Sequence, residues 1–293
     1  IDSQKIPVVR LTRIFRQAQS SRIVMNAHAI NAGRYPDTSN GKDTDFFFIK
    51  SEDAEQTVSQ IVNLVQNRLP KAYNIPTSKI QVLTPMQRGV VGAANLNLSL
   101  QAALNPSSLG LARGGYTYRK GDRVMQIRNN YDKNVFNGDL GYVESVDLEE
   151  RTLQVNFDDN LVEYEVSELD ELTLAYATTI HKSQGSEYPI VVMPVLMSHY
   201  VMLQRNLIYT GITRAKKICV LIGAPKALAM AIHNMEVLKR NTKFKERINP
   251  LLAEATTASS IQSPKIVPYS APQSREENLS MAAESLTLYN KPN

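Results

Sequence analysis

Most of the chain alternates short apolar runs with segments of helical period, and one long stretch breaks that rhythm. Phe46-Phe47-Phe48-Ile49 reads as a buried strand, and residues 54–68 as a helix with Val58, Ile61, Val62 and Val65 on one face. Ile80-Gln81-Val82-Leu83 reads as a second strand, which Thr84-Pro85-Met86 ends before a helix from about 89 to 104. Strands that alternate with helices in this way predict an α/β domain, a parallel sheet with helices on both faces. Upstream, residues 12–33 are helix-like, with Ile14, Ala18, Ile23, Ala27 and Ile30 at spacings near three and four, stopped by Gly33 and Pro36.

From about 113 to 169 the segments become short and turn-punctuated. Residues 122–128 alternate, Asn137-Gly138-Asp139 and Gly141 mark a tight turn, and 142–146, 152–157 and 162–166 read as strands. Such a run predicts a small antiparallel β-barrel inserted into the α/β domain. Afterwards the α/β pattern resumes with strands at 172–177, 190–195 and 217–222 and helices at 201–212 and 225–233. The expected division is therefore 1–111 and 171–249 for the two parts of the α/β domain and 112–170 for the barrel. Residues 250–293, rich in Ser, Ala, Thr, Gln and Pro, read as a flexible tail.

The formal charge of +5 is unevenly spread. Residues 1–35 carry six basic side chains against Asp2, and 205–247 carry ten against two acidic. Residues 139–171 carry twelve acidic side chains and one basic, Arg151. Basic segments on either side of an acidic one suit a polyanion such as DNA or a nucleotide, with solvated surface as the plainer alternative. No apolar run is long enough to span a membrane, and no signal peptide is expected from these residues. The single cysteine, Cys219, lies in an apolar strand, so no disulfide framework or zinc site can be assembled and a cytoplasmic location fits. The chain opens at Ile1 inside an ongoing pattern, which reads as a cut in a longer protein or as a processed mature end.

Three segments carry chemistry. In 175–188 an apolar strand runs straight into Thr178-Thr179-Ile180-His181-Lys182-Ser183-Gln184-Gly185-Ser186-Glu187. Hydroxyls and backbone amides suit phosphate oxygens, Gly185 permits close approach, and Glu187 offers an acceptor for a ribose hydroxyl. A polar loop satisfying its own backbone is the alternative. In Tyr209-Thr210-Gly211-Ile212-Thr213-Arg214-Ala215, Arg214 can present its planar fork to a phosphate, or simply complement a helix end. In Thr12-Arg13-Ile14-Phe15-Arg16-Gln17, the apolar pair can dock the segment and leave Arg16 and Gln17 facing a cleft; a surface salt bridge is the alternative.

Taken together and in this order, these segments resemble superfamily 1 helicases, and within them the RecD-like branch that travels 5′ to 3′. Residues 179–187 look like motif V, 209–215 like motif VI, Phe15-Arg16-Gln17 like motif IV, and Thr84-Pro85-Met86 like the DNA-contacting segment that follows it. The resemblance covers roughly residues 5–235. It implies a RecA-like sheet interrupted by an SH3-like barrel, and an ATP site shared with another RecA-like domain. Arg16 and Arg214 would be arginine fingers, with Gln17, Gly185 and Glu187 facing the nucleotide. Thr84, Pro85, Thr179, His181, Lys182 and Ser183 would face single-stranded DNA. In the barrel, Arg119, Lys120, Arg123 and Arg128 would touch DNA, with Tyr116, Tyr118 or Tyr131 available for stacking; a bracing spacer is the alternative.

The chain also departs from the family pattern. The only Gly-Lys pair, Gly41-Lys42, is followed by Asp43 and has no glycine five positions before it, so there is no phosphate-binding loop. No apolar strand ends in a plausible Asp-Glu pair. The expectation is an ATP-dependent DNA helicase, of the kind that serves repair or recombination, whose phosphate loop and Mg²⁺ ligands lie outside this chain in an N-terminal RecA-like domain. On that reading the chain alone does not hydrolyse ATP. The expected partners are single-stranded DNA and that domain, no membrane, and further subunits if the parent is part of a larger assembly. A non-hydrolysing DNA or protein clamp, or a subunit of a recombination nuclease, is the alternative.

Overall fold

The computed structural model describes residues 21–41, 43–234, 247, 248 and 250, and the described residues up to 234 belong to one compact unit, Leu11–Leu238. Its first helix, α1 (Arg22–Asn31), begins where Ser21 caps the backbone N–H of Val24 and buries Ile23, Ala27 and Ile30 on one face. The part of the expected helix before residue 21, like the expected tail beyond 250, lies outside the described residues. Strand β1 (Phe46–Lys50) leads to α2 (Ala54–Asn63), capped by Asp53. The expected single helix then widens into one π turn, Leu64–Arg68, before continuing as α3 (Leu69–Tyr73). The wider turn falls just before Pro70, whose ring would clash with the carbonyl of residue 66 in a regular helix.

Strand β2 (Ile80–Thr84) and helix α4 (Ala93–Leu104) precede the insertion. The insertion contains β3 (Leu111–Arg113), β4 (Tyr116–Tyr118), β5 (Arg123–Gln126), β6 (Leu140–Asp147), β7 (Thr152–Phe157), β8 (Asn160–Glu165) and β9 (Leu172–Leu174). The α/β part resumes with β10 (Ala177–Thr179), β11 (Tyr188–Val195), α5 (Arg205–Ile212), β12 (Ala215–Gly223) and α6 (Pro225–His233). Residues 201 and 202, expected to open the helix 201–212, instead close a separate 3-10 turn, Met197–Met202, and α5 starts at Arg205.

The main sheet is parallel throughout, in the order β1-β12-β11-β2-β10. Side chains alternate across it. Cys219 and Leu221 join Phe46, Phe48, Val191 and Met193 under α1, α5 and α6. Ile218, Val220 and Ile222 join Ile80, Val82, Ile190 and Val192 under α2 and α4. Burial on both faces is why these strands are apolar throughout. No described helix is long and apolar enough to cross a membrane.

The insertion is a small antiparallel sheet, ordered β8-β7-β6-β5-β9, with β3 and β4 forming a hairpin beside it. Its core includes Tyr118, Val124, Val143, Val155, Tyr164 and Leu174. The run 172–177, expected as one strand of the main sheet, is in fact split. Leu172–Leu174 pairs with β5 in the barrel, and Ala177–Thr179 pairs with β2 in the main sheet. Buried polar groups hold that junction. Asn97 donates to the carbonyls of Leu174 and Ala177 at 2.8 and 2.9 Å and accepts from the Ala177 N–H at 2.7 Å. Asp122 accepts from Gln101, from Asn105 at 2.8 Å, from the Arg119 N–H at 2.8 Å and from the Tyr176 hydroxyl at 2.8 Å.

Candidate nucleotide and nucleic-acid site

The topology divides the candidate residues between two edges of the sheet. Thr84 and Thr179 are the last residues of β2 and β10, and they are register partners. Tyr188 and Ala215 are the first residues of β11 and β12, and they too are register partners. Because all five strands are parallel, the loop 180–187 starts at the C-terminal edge and ends at the N-terminal edge. One motif therefore serves both edges.

At the C-terminal edge, Ile180 anchors the loop: it is fully buried, and its N–H donates to the Thr84 carbonyl at 3.0 Å. A 3-10 turn at His181–Ser183 then presents His181 and Lys182 to solvent. Partial desolvation lowers the Lys182 ammonium below the usual lysine range, so a bound anion would favour its charged form. The Thr179 hydroxyl accepts from the Lys182 N–H at 3.4 Å. Three other predicted contacts are turned inward. Ser183 is buried and donates to the Ile180 carbonyl at 2.7 Å, Thr84 is buried and donates to the Val91 carbonyl at 2.7 Å, and Pro85 is buried. Their side chains shape the loops, and the exposed group between strand and helix is Gln87-Arg88, which sequence reasoning passed over. A polar pair between a strand end and a glycine-flanked helix start was the available signal.

At the N-terminal edge, Arg214 is half-buried and held by oxygen acceptors. Its Nε donates to the Thr210 carbonyl at 3.2 Å, Nη1 to the Ser186 carbonyl at 3.0 Å and Nη2 to Thr213 Oγ1 at 3.4 Å. The N–H of Tyr188 donates to the Arg214 carbonyl at 2.9 Å, locking the ends of the two motifs together. Gly185 has φ +88°, a conformation that favours glycine, and a Cβ there would meet only open space. That exposed backbone fits the approach of a phosphate. Glu187 pairs with Lys216 at 2.8 Å, a partner the sequence did not flag. Gly211 of motif VI is required for packing: a Cβ there would lie 2.5 Å from Met193 Sδ. Arg16 and Gln17 lie outside the described residues. Among the described residues no group of three or more His, Cys, Asp or Glu is placed to hold a metal ion.

The barrel corrects one expectation. Arg123 is only 7% exposed, and its Nη1 donates to the carbonyls of Ser78 and Ile80 at 3.4 and 3.2 Å. It braces the barrel against the start of β2 and is not available to DNA. Tyr118, also offered for stacking, is core: its hydroxyl donates to the Leu172 carbonyl at 2.8 Å. Arg119 donates to the Asn105 carbonyl at 2.7 Å, whereas Lys120, Arg128 and Tyr131 are exposed.

Two family models match the chain. Residues 96–157 match the SH3 domain of ATP-dependent RecD-like DNA helicases, and residues 174–222 match the UvrD-like helicase C-terminal domain. Among curated proteins, the ATP-dependent RecD2 DNA helicase of Deinococcus radiodurans is 36% identical over 246 residues, covering 84% of this chain and 33% of its own length. The RecBCD enzyme subunit RecD of Haemophilus influenzae is 28% identical over 172 residues, covering 59% of this chain and 25% of its own length. The Pif1 helicase from Bacteroides, solved with ADP-AlF3 and ssDNA, aligns with a TM-score of 0.46 at 15% identity, over 86% of this chain and 57% of that one. The inserted barrel thus corresponds to a RecD-like helicase SH3 domain, and the later strands of the main sheet to a UvrD-like helicase C-terminal domain. The chain is similar to the RecD-like helicases over most of its length, and it spans a quarter to a third of the length of these two curated relatives.

Proposed function

We propose that this chain supplies the second wall of an interdomain ATP site and one bank of a single-stranded DNA track in an ATP-dependent DNA helicase. The observation that carries the reading is the joint between motifs V and VI, where the Arg214 guanidinium meets the Ser186 carbonyl beside Gly185 and Glu187. A guanidinium held by neutral carbonyl and hydroxyl oxygens is pre-aimed at little cost in reorganisation. Arg214, together with Arg16, acts as an arginine finger and stabilises charge on the transferring phosphoryl group, an effect worth roughly 10³–10⁵ in rate. Gly185 lets a phosphate approach the backbone, Gln17 faces the nucleotide, and Glu187 accepts from the ribose while keeping Lys216 beside it.

At the opposite edge, Thr179, His181 and Lys182 contact the DNA backbone, and Thr84, Pro85 and Ser183 hold the loops that present them. In the barrel, the exposed Arg128 also contacts the DNA. Bound ATP and Mg²⁺ supply the phosphoryl group and its charge neutralisation, with the phosphate loop and metal ligands contributed by an N-terminal RecA-like domain outside this chain. The kinship with subunits of RecBCD enzymes favours further protein partners for the parent.

The test is to measure DNA-stimulated ATP turnover of this chain by itself and joined to its N-terminal region. We expect turnover only from the joined protein. Turnover above background from the chain alone would overturn the half-site reading.

A further inference from the structure

The buried Arg123 has a second contact besides the carbonyls of Ser78 and Ile80. Its guanidinium carbon lies 5.9 Å from the centroid of the Tyr188 ring, and Tyr188 is itself buried. Tyr188 in turn donates its N–H to the carbonyl of Arg214, whose guanidinium holds the carbonyl of Ser186. The ladder does not fix this point by itself. Tyr188 pairs with Ala215 but Ile190 pairs with Ile218, so an extra residue enters β12 just where β11 begins. A cleft of about 690 Å³ opens alongside, lined by Arg123, Asp139 and Tyr142 from the barrel and by Ser186, Glu187 and Tyr188 from the sheet. Burial raises the Tyr188 phenol above its usual range.

We propose that Arg123 is a positioning residue: through Tyr188 it fixes the start of β11, and so sets where the Ser186 carbonyl holds the Arg214 guanidinium. The inserted barrel thereby helps to aim the finger, a role that rests on the reading of Arg214 given above. Cation–π attraction is strongest where the cation is desolvated, as Arg123 is. A displacement of about 1 Å at a catalytic group costs up to about a hundredfold in rate, so loss of this brace is expected to show in turnover before it shows in binding.

The experiment uses the full-length protein and measures DNA-stimulated ATP turnover for Arg123→Met, Tyr188→Leu, Tyr188→Phe, Arg214→Lys and the double variant Arg123→Met/Arg214→Lys. We expect Arg123→Met and Tyr188→Leu to lower kcat about tenfold, with KM for ATP and affinity for single-stranded DNA held within about twofold. Tyr188→Phe, which keeps the ring, recovers most of the loss. On the Arg214→Lys background, Arg123→Met costs less than about twofold, because the two residues act as one unit. Parent-like kcat in Arg123→Met, or a full additive loss on the Arg214→Lys background, overturns the proposal. Should Arg123→Met fail to fold, equal kcat for Tyr188→Leu and Tyr188→Phe overturns it instead. If Arg214→Lys keeps parent turnover, the finger reading falls first; if Arg214→Lys is slow and the Arg123 effect is additive, only the positioning role falls.

Discussion

His199 lies 2% exposed in the 3-10 turn after β11, with its Nδ1 accepting from the Leu196 N–H at 3.4 Å. Burial pushes its pKa down to about 4. The unfolded chain takes up a proton near the ordinary histidine value while the folded protein resists. The stabilisation is therefore complete above about pH 6.5 and drains as the pH falls towards 4. We expect the urea-unfolding free energy to drop by about 2–3 kcal/mol between pH 7 and 4.5 from this group, and the drop to shrink by that amount in His199→Asn. An unchanged pH dependence in the variant would assign the loss elsewhere. Lys182 makes a different kind of prediction. Under the proposed function it is a single phosphate contact, so its replacement by Gln should weaken single-stranded DNA binding across all sequences and flatten the salt dependence by about one unit of slope. A variant with the parent's slope would remove Lys182 from the track.

At the scale of elements, packing and buried hydrogen bonds make separate demands. Gly211 lets α5 lie directly on β11, and a methyl group there would collide with Met193. Gly211→Ala should cost about 1–3 kcal/mol, measurable by chemical denaturation, and a neutral result would mean that Met193 moves freely. Asp122→Ala takes one acceptor from each of the Gln101 and Asn105 amides, which keep the Thr117 and Lys120 carbonyls, and removes the acceptor of the Tyr176 hydroxyl; it should cost about 3 kcal/mol. A loss under about 0.5 kcal/mol would mean that the junction is not held by this carboxylate. These elements were unequally legible in the sequence. The strands of the main sheet announced themselves because burial on both faces makes them apolar from end to end. The run Leu172-Thr173-Leu174-Ala175-Tyr176-Ala177 misled for the same reason: its apolar character continues while the chain passes from the barrel sheet to the main one. The π turn was hidden because it keeps a helical pattern and differs only in one carbonyl's partner.

At the scale of the molecule, the parallel topology puts the two ends of the loop 180–187, proposed above to face DNA and nucleotide, on opposite edges of one sheet. Sequence alone could offer Arg214, Gly185, Glu187, His181 and Lys182 as candidates, because the chemistry of those positions is written in adjacent letters. It could not name the fate of Arg123, Ser183 or Thr84, whose burial depends on partners contributed by packing. Arg123 illustrates the point: its contacts at Ser78, Ile80 and Tyr188 lie far from it in the chain, and nothing local distinguishes it from the exposed Arg128. The barrel's net acidity is likewise compatible with a bracing role at the seam, where Asp122 and Arg123 are both buried.

Under the proposed function, Arg214 completes an ATP site built mostly elsewhere. The direct measurement is DNA-stimulated ATP turnover, alongside equilibrium ATP binding, for Arg214→Ala in the full-length protein. We expect turnover to fall by at least about a thousandfold while ATP binding stays within a few fold of the parent. Turnover near the parent rate would contradict the assignment of Arg214 as a finger.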